Sequence, residues 1–155
     1  YTEVLELDVT DRGVSRAGQG APIAFMSSHP DHHHQFVLVQ GRPAEAGFST
    51  INQLSFKVDG IAAVRAGAAR AQAHGATLRC TSHGNAWSVY FHDPEGNQVE
   101  TQVDTLSLDD ADAFMQGPLF AANPIGINVD FDVLIERRKN GATFAELTDY
   151  ATAGQ

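Results

Sequence analysis

Apolar and polar residues alternate most cleanly in two stretches of this chain. Between Ile51 and Val58, Leu54, Phe56 and Val58 face one way and Gln53, Ser55 and Lys57 the other, which predicts a half-buried strand. From His83 to Glu100 the pattern predicts two strands joined by a tight turn. Trp87 to His92 is rich in aromatic residues, Asp93-Pro94-Glu95-Gly96-Asn97 is turn chemistry, and Gln98 to Val103 is extended again. Alternation gives Ser88, Tyr90 and His92 one face and Trp87, Val89 and Phe91 the other. On the returning strand Gln98, Glu100 and Gln102 stand against Val99, Thr101 and Val103. Each strand has an apolar side suited to a core and a polar side that is either washed by solvent or lines a site.

The remaining elements follow from period and punctuation. Tyr1 to Leu7 has apolar residues at helical spacing and reads as the end of a helix. Leu7 to Thr10 starts a strand, Asp11-Arg12-Gly13 is a turn, and Ala21 to Ser27 and His34 to Gln40 are strands. Ala44 to Ser49 is a loop rich in small residues. Asp59 and Gly75 bracket a helix whose stripe is Ile61, Val64, Ala68 and Ala71, and Ala76 to Thr81 is a further strand. The order from Ile51 to Asp104 is strand, helix, strand, strand, strand. The order before it is the same without its first strand, an internal echo at the level of elements. After Asp104, Ser107 caps a short helix to Gln116, Gly117-Pro118 breaks it, and Asn123 to Gly126 is loop. Asp130 to Lys139 and Thr143 to Tyr150 are helices, so residues 107–155 form a helical C-terminal extension.

Composition narrows the class. The 155 residues are 43% hydrophobic, enough for one good core. A net charge of -9, from 10 Lys plus Arg against 19 Asp plus Glu, argues against nucleic acid or an anionic membrane as partner. The single cysteine, Cys80, makes no internal disulfide and reads as a small buried hydrophobe, which fits a reducing, cytoplasmic setting. No apolar run has the length of a membrane span. Glycine loops for phosphate, zinc-spaced cysteines and a nucleophile elbow are all missing.

The segments YTEVLEL, INQLSFKVDG and above all HGNAWSVYFHDPEGNQVE resemble the vicinal oxygen chelate superfamily, and within it single-domain relatives of the extradiol catechol dioxygenases. The resemblance covers about two thirds of the chain, up to Asp104. It implies an α+β fold in which paired βαβββ modules, about 1–43 and 51–104 within a domain of 1–106, form a cupped mixed sheet around a divalent metal. The metal implied is Fe(II), with Mn(II) the alternative, held by two His and one carboxylate with open positions for a diol and dioxygen. Glu100 stands where the family has its carboxylate. The first His ligand belongs to a strand expected ahead of Tyr1. The second ligand position is Gln53, a weaker neutral donor, although glyoxalase I relatives do use Gln as a ligand.

Of the cluster His29-Pro30-Asp31-His32-His33-His34, strand alternation allows only His32 and His34 to converge. The resemblance makes His34, with His33 one register away, the acid/base beside the substrate, a task that suits an imidazole. It makes Tyr90 a hydrogen-bond donor to the bound diolate, and His83 a residue near the substrate for which Asn85 is a rival. Ser55 and Asn85 are expected to contact substrate. His92 is assigned to solvent or the site mouth, and His74 to the helix C-terminus. The leading function is a ring-cleaving dioxygenase acting on a small aromatic diol with O2, as a homodimer or higher homo-oligomer. Gln53 keeps two alternatives open: a redox-neutral glyoxalase-like lyase or isomerase, and a metal-free binding protein of the same fold.

Overall fold

The computed structural model describes residues 1–15, 20–43, 45, 47, 51–143, 146, 147 and 149. Most of the Ala44 to Ser49 loop, and half of the helix expected from Thr143 to Tyr150, lie outside the described residues. The chain divides into two compact units, Tyr1–Thr50 and Ile51–Gln155. Among the described residues no helix is long and apolar enough to cross a membrane.

The first unit is an antiparallel meander of β1 (Asp8–Ser15), β2 (Ala21–Ser27) and β3 (Phe36–Val39), in that spatial order. Ahead of it the expected helix is reduced to one turn, in which Leu5 N donates to Tyr1 O at 3.2 Å. Glu6 ends that turn at φ 57°, a left-handed conformation that no helix continues. Leu7 and Met26 are the buried apolar residues here among the described ones, and the Tyr1 ring packs on Phe36 with centroids 4.4 Å apart. The turn expected at Asp11-Arg12-Gly13 is instead part of β1. Cross-strand pairing carries the chain through it, and the local irregularity is a bulge: Val9 pairs with Met26 and Asp11 with Phe25, leaving Thr10 as the extra residue.

The second unit has the order β4 (Leu54–Lys57), α1 (Gly60–Ala73), β5 (Arg79–Ser82), β6 (Ala86–His92), β7 (Gln98–Asp104). Its sheet order is β4-β7-β6-β5-β8, where β8 is Ile127–Asn128, with β4 parallel to β7 and the other pairs antiparallel. Helix α1 buries Val64, Gly67, Ala68 and Ala71, while Ile61 is half-buried. Small residues on that face bring the helix close to the sheet, where β6 supplies the bulk through Trp87, Val89 and Phe91. Asp59 is the N-cap but makes no side-chain cap bond. The helix stops as a Schellman motif: Gly75 at φ 84° sends its N–H to Gln72 O at 2.9 Å, and Ala76 N donates to Ala71 O at 3.0 Å.

The C-terminal segment belongs to this second unit. Ser107 caps α2 (Leu108–Met115) by accepting from Asp110 N, as its position predicts. Gly117-Pro118 ends α2 but also begins α3 (Pro118–Ala122), because proline is pre-organised for a first helical position. The expected Asn123 to Gly126 loop is followed by β8, which pairs Asn128 with Thr81 and Ile127 with Ser82. A two-residue strand carries no periodicity, so the sequence pattern does not announce it. Asp130 caps α4 (Phe131–Lys139) by accepting from Asp132 N at 2.8 Å and Val133 N at 3.3 Å. Phe131 and Leu134 are buried, and the Phe131 ring lies 6.2 Å from Trp87.

Phe91 is buried on the α1 side of β6. Phe91→Ala is expected to destabilise the protein by about 3–5 kcal/mol, read from the urea unfolding midpoint. A loss below about 1 kcal/mol would show that the side chain is not part of the close-packed interior.

Candidate functional site

The register of the second sheet sets a row of polar side chains across it. Ser55 on β4 pairs with Glu100 on β7, Glu100 with Tyr90 on β6, and Tyr90 with Arg79 on β5. Cross-strand partners share a face, so these four side chains line the side opposite the apolar one. Gln53, just ahead of β4, keeps the same alternation and joins the row.

Glu100 is the centre of the row, with only 4% of its surface exposed. Ser55 Oγ donates to Glu100 Oε2 at 2.5 Å, and Gln53 Nε2 donates to the same oxygen at 2.8 Å. The Gln53 carboxamide is held in turn by Ser55 Oγ at 2.9 Å and by Gln98 Nε2 at 3.4 Å. Ser88 Oγ is sealed from solvent and has no hydrogen-bond partner of good geometry among the described residues, yet lies close enough to act on Glu100 and Tyr90. Burial pushes the Glu100 carboxyl up, but the hydrogen bond from Ser55 and the nearby hydroxyls of Tyr90 and Ser88 together outweigh it and hold the group below its ordinary value. The result is a buried carboxylate that stays ionised. Among the described residues no Lys, Arg or His lies within ion-pair distance of it.

Tyr90 links this carboxylate to an imidazole. Its hydroxyl lies 2.9 Å from His83 Nε2, and burial followed by the hydrogen bond and charge of Glu100 push the phenol up to about 12. It therefore stays protonated and has one proton to share between Glu100 and His83. His83 is lowered, first by burial and then by Arg79, against the pull of Glu100 and a hydrogen bond to the Ile125 carbonyl. At neutral pH the ring is uncharged. Gly126 explains how the following loop approaches it: at φ 96°, a Cβ there would meet Ser82 O at 2.6 Å and His83 Nδ1 at 2.9 Å.

The structure thus brings Gln53, Ser55, Glu100, Tyr90 and His83 together. It does not bring Asn85, whose Nδ2 turns to Met115 Sδ at 3.9 Å. Two members of the cluster were not singled out from sequence. The Arg79 guanidinium sits 4.1 Å from the centre of the Tyr90 ring, a cation–π contact, and Ser88 faces the carboxylate. Both sit at even spacing on the polar face, but only the β5–β6 register reveals Arg79. His92 is exposed and His74 is the C-cap of α1. Cys80 is half-buried, and burial, then Asp130 and Asp132, push its thiol up, the reverse of an activated nucleophile.

His34 lies in the first unit. The alternation argument for His32 and His34 does not apply, because β3 begins only at Phe36 and the histidines occupy a turn. There the His33 and His34 Nδ1 atoms meet at 2.9 Å, and the His29 and His32 rings stack at 4.6 Å.

The donor set of the second unit fits a divalent cation. An ionised buried carboxylate with no paired cation, an adjacent carboxamide and a buried hydroxyl aimed at the same place are what a hard ion requires. Glu100 and Gln53 would hold it, Gln53 after a half-turn of its carboxamide that exchanges oxygen for nitrogen. Among the described residues no group of three or more His, Cys, Asp or Glu is arranged around one metal position, so these two supply only part of a shell.

A βαβββ unit with a carboxylate on the polar face of its mixed sheet defines the glyoxalase class of fold. This chain belongs to the Glyoxalase/Bleomycin resistance protein/Dioxygenase superfamily, whose sequence profile matches residues 1–101. Biphenyl-2,3-diol 1,2-dioxygenase 2 of Rhodococcus globerulus is 38% identical over 72 residues, 46% of this chain and 38% of that protein. Biphenyl-2,3-diol 1,2-dioxygenase 3 of the same organism is 35% identical over 72 residues, again 46% and 38%. The matching stretch spans well under half the length of these relatives. Among solved structures, a glyoxylase/bleomycin resistance protein/dioxygenase domain from Frankia sp. EAN1pec has a TM-score of 0.51 at 19% identity, covering 67% of this chain and 83% of its own. The fosfomycin resistance protein FosX from Listeria monocytogenes has a TM-score of 0.52 at 14% identity, covering 70% and 81%. These two likenesses are likenesses of fold.

A carboxyl held below its ordinary value stabilises the fold above about pH 4.3, its unfolded value, and that contribution is lost as pH falls through the folded value. Ser55→Ala removes one donor, so the Glu100 titration should move up and acid unfolding should begin at higher pH. Carboxyl 13C NMR reads the first and fluorescence the second; an unmoved Glu100 titration would contradict the assigned hydrogen bond.

Proposed function

We propose that this protein is a metal-dependent ring-cleaving dioxygenase of the extradiol kind, acting on a small catecholic compound with O2. The observation that carries the proposal is the buried, ionised Glu100 set between Gln53 on one side and the Tyr90–His83 pair on the other. The identity to two biphenyl-diol dioxygenases supports the substrate class. A divalent ion, Fe(II) or Mn(II), would be held by Glu100 and Gln53 and would supply a Lewis-acidic, redox-active centre for the reaction of diol with dioxygen.

The chain's own residues supply positioning and proton control. Tyr90 keeps its proton at any physiological pH and so offers a hydrogen bond to a diol oxygen without competing as a second anion. His83, uncharged and with its N–H on the Ile125 carbonyl, presents a bare Nε2 2.9 Å from the Tyr90 hydroxyl, an acceptor that orients the phenol until a diol oxygen takes its place. Ser55 donates to one oxygen of the carboxylate and so holds the group in one orientation. The reaction requires a base that takes the substrate proton and returns it as the ring C–C bond beside the diol breaks and both atoms of O2 enter the product.

One observation favours a second proposal. Gln53 gives Glu100 an N–H and not an oxygen, so the carboxylate is satisfied by protein donors, as it would be in a metal-free binding pocket. Full-length protein purified anaerobically and reconstituted with Fe(II) separates the two. Oxygen uptake on simple catechols with a yellow ring-opened product is expected; no bound metal and no uptake would overturn the dioxygenase proposal in favour of the binding protein. Gln53→His should bind metal more tightly, because an imidazole replaces a neutral oxygen donor.

A further inference from the structure

The row Ser55–Glu100–Tyr90–Arg79 that crosses the second sheet ends in a cation. The Arg79 guanidinium lies over the Tyr90 ring, and its Nη1 donates to Thr81 Oγ1 at 2.9 Å. Thr81, two residues along β5, is fully buried, so the guanidinium is pinned from its own strand. A guanidinium carries five N–H donors in a rigid fork, and this bond uses one of them. The cation–π contact draws on the charge and leaves the other donors available. Among the described residues no carboxylate stands within ion-pair distance of Arg79. Glu100 is two strand spacings away, roughly 10 Å. Asp130 and Asp132 line the same hollow as Arg79 but are engaged: Asp130 caps α4, and Asp132 pairs with Arg65. We propose that Arg79 takes an anionic group of the ligand, so that the substrate is a catechol bearing a carboxylate.

The position suits that task. Tyr90 offers its proton to a diol oxygen in the proposed reaction, and Arg79 is its cross-strand partner, one strand spacing or about 5 Å away. That is the span from a ring hydroxyl to a carboxylate across one aromatic ring. The charge of Arg79 is felt at both Tyr90 and His83, so it acts on the same side of the sheet as they do. Its remaining donors suit a carboxylate, which accepts two parallel N–H···O bonds from the guanidinium fork. An acidic chain repels anions at large: the net charge is -9, and Glu100 adds a fixed negative charge to the row. A preference for an anionic ligand therefore needs a placed cation, and in this row that cation is Arg79.

The catechol part of this ligand rests on the dioxygenase proposal; the anion contact does not. Anaerobic calorimetric titration of the full-length, Fe(II)-loaded protein reads the contact without turnover, using 3,4-dihydroxybenzoate and 4-methylcatechol, a neutral compound of similar shape. The wild type should bind the carboxylated compound about tenfold more tightly. Arg79→Ala should weaken 3,4-dihydroxybenzoate about tenfold more than 4-methylcatechol, and Arg79→Lys, which keeps the charge without the fork, should recover part of that difference. Equal affinities in the wild type, no binding of 3,4-dihydroxybenzoate, or a preference that survives Arg79→Ala would overturn the proposal. So would a loss that strikes both ligands alike, the result expected of an arginine that only packs on Tyr90. Oxygen uptake is read separately. An Arg79-dependent preference without uptake supports the anion contact and removes the dioxygenase proposal alone, whereas uptake on 4-methylcatechol with no preference does the reverse.

Discussion

Keeping one carboxylate ionised away from water is the constraint on which the second unit turns. An isolated buried anion is costly, and Glu100 has no cationic side chain beside it among the described residues. Neutral dipoles meet the cost instead: Ser55 on the parallel neighbour β4 and Gln53 just ahead of it, and Tyr90 and Ser88 on the antiparallel neighbour β6. Those donors exist only because β7 lies between β4 and β6. The βαβββ order produces that placement, since the strand before the helix returns beside the last strand of the unit. Fold and site are therefore one argument.

The same row explains why two ordinarily reactive groups stay quiet at neutral pH. Tyr90 keeps its proton because it is partly buried and its neighbour is an anion. His83 stays uncharged because burial and Arg79 outweigh the pull of Glu100. What results is a polar wall with one fixed negative charge and a set of oriented donors, suited to a cation and an oxygen-rich ligand. The superfamily places such a wall at the service of several chemistries, so the reaction has to be argued from the residues.

Much of this was legible in the chain. Alternation alone put Ser55, Tyr90 and Glu100 on polar faces, and turn chemistry at Asp93 to Asn97 joined β6 to β7, where Asp93 Oδ1 accepts from Asn97 N at 2.8 Å. Arg79 was not legible, because its meeting with Tyr90 depends on a strand register that no local pattern encodes. The bulge before Asp11 was hidden for a related reason: Asp-Arg-Gly reads as a turn, and only pairing with β2 makes it part of a strand. The one-turn start at Tyr1 and the two-residue β8 fall below the length at which periodicity carries information.

The central claim is that Glu100 is the anionic anchor of a cation site, and calorimetric titration of the protein with Mn(II) tests it most directly. The account predicts measurable binding by the wild type and its loss in Glu100→Gln, a variant of nearly the same shape without the charge. Equal binding by both proteins, or none by the wild type, would contradict it.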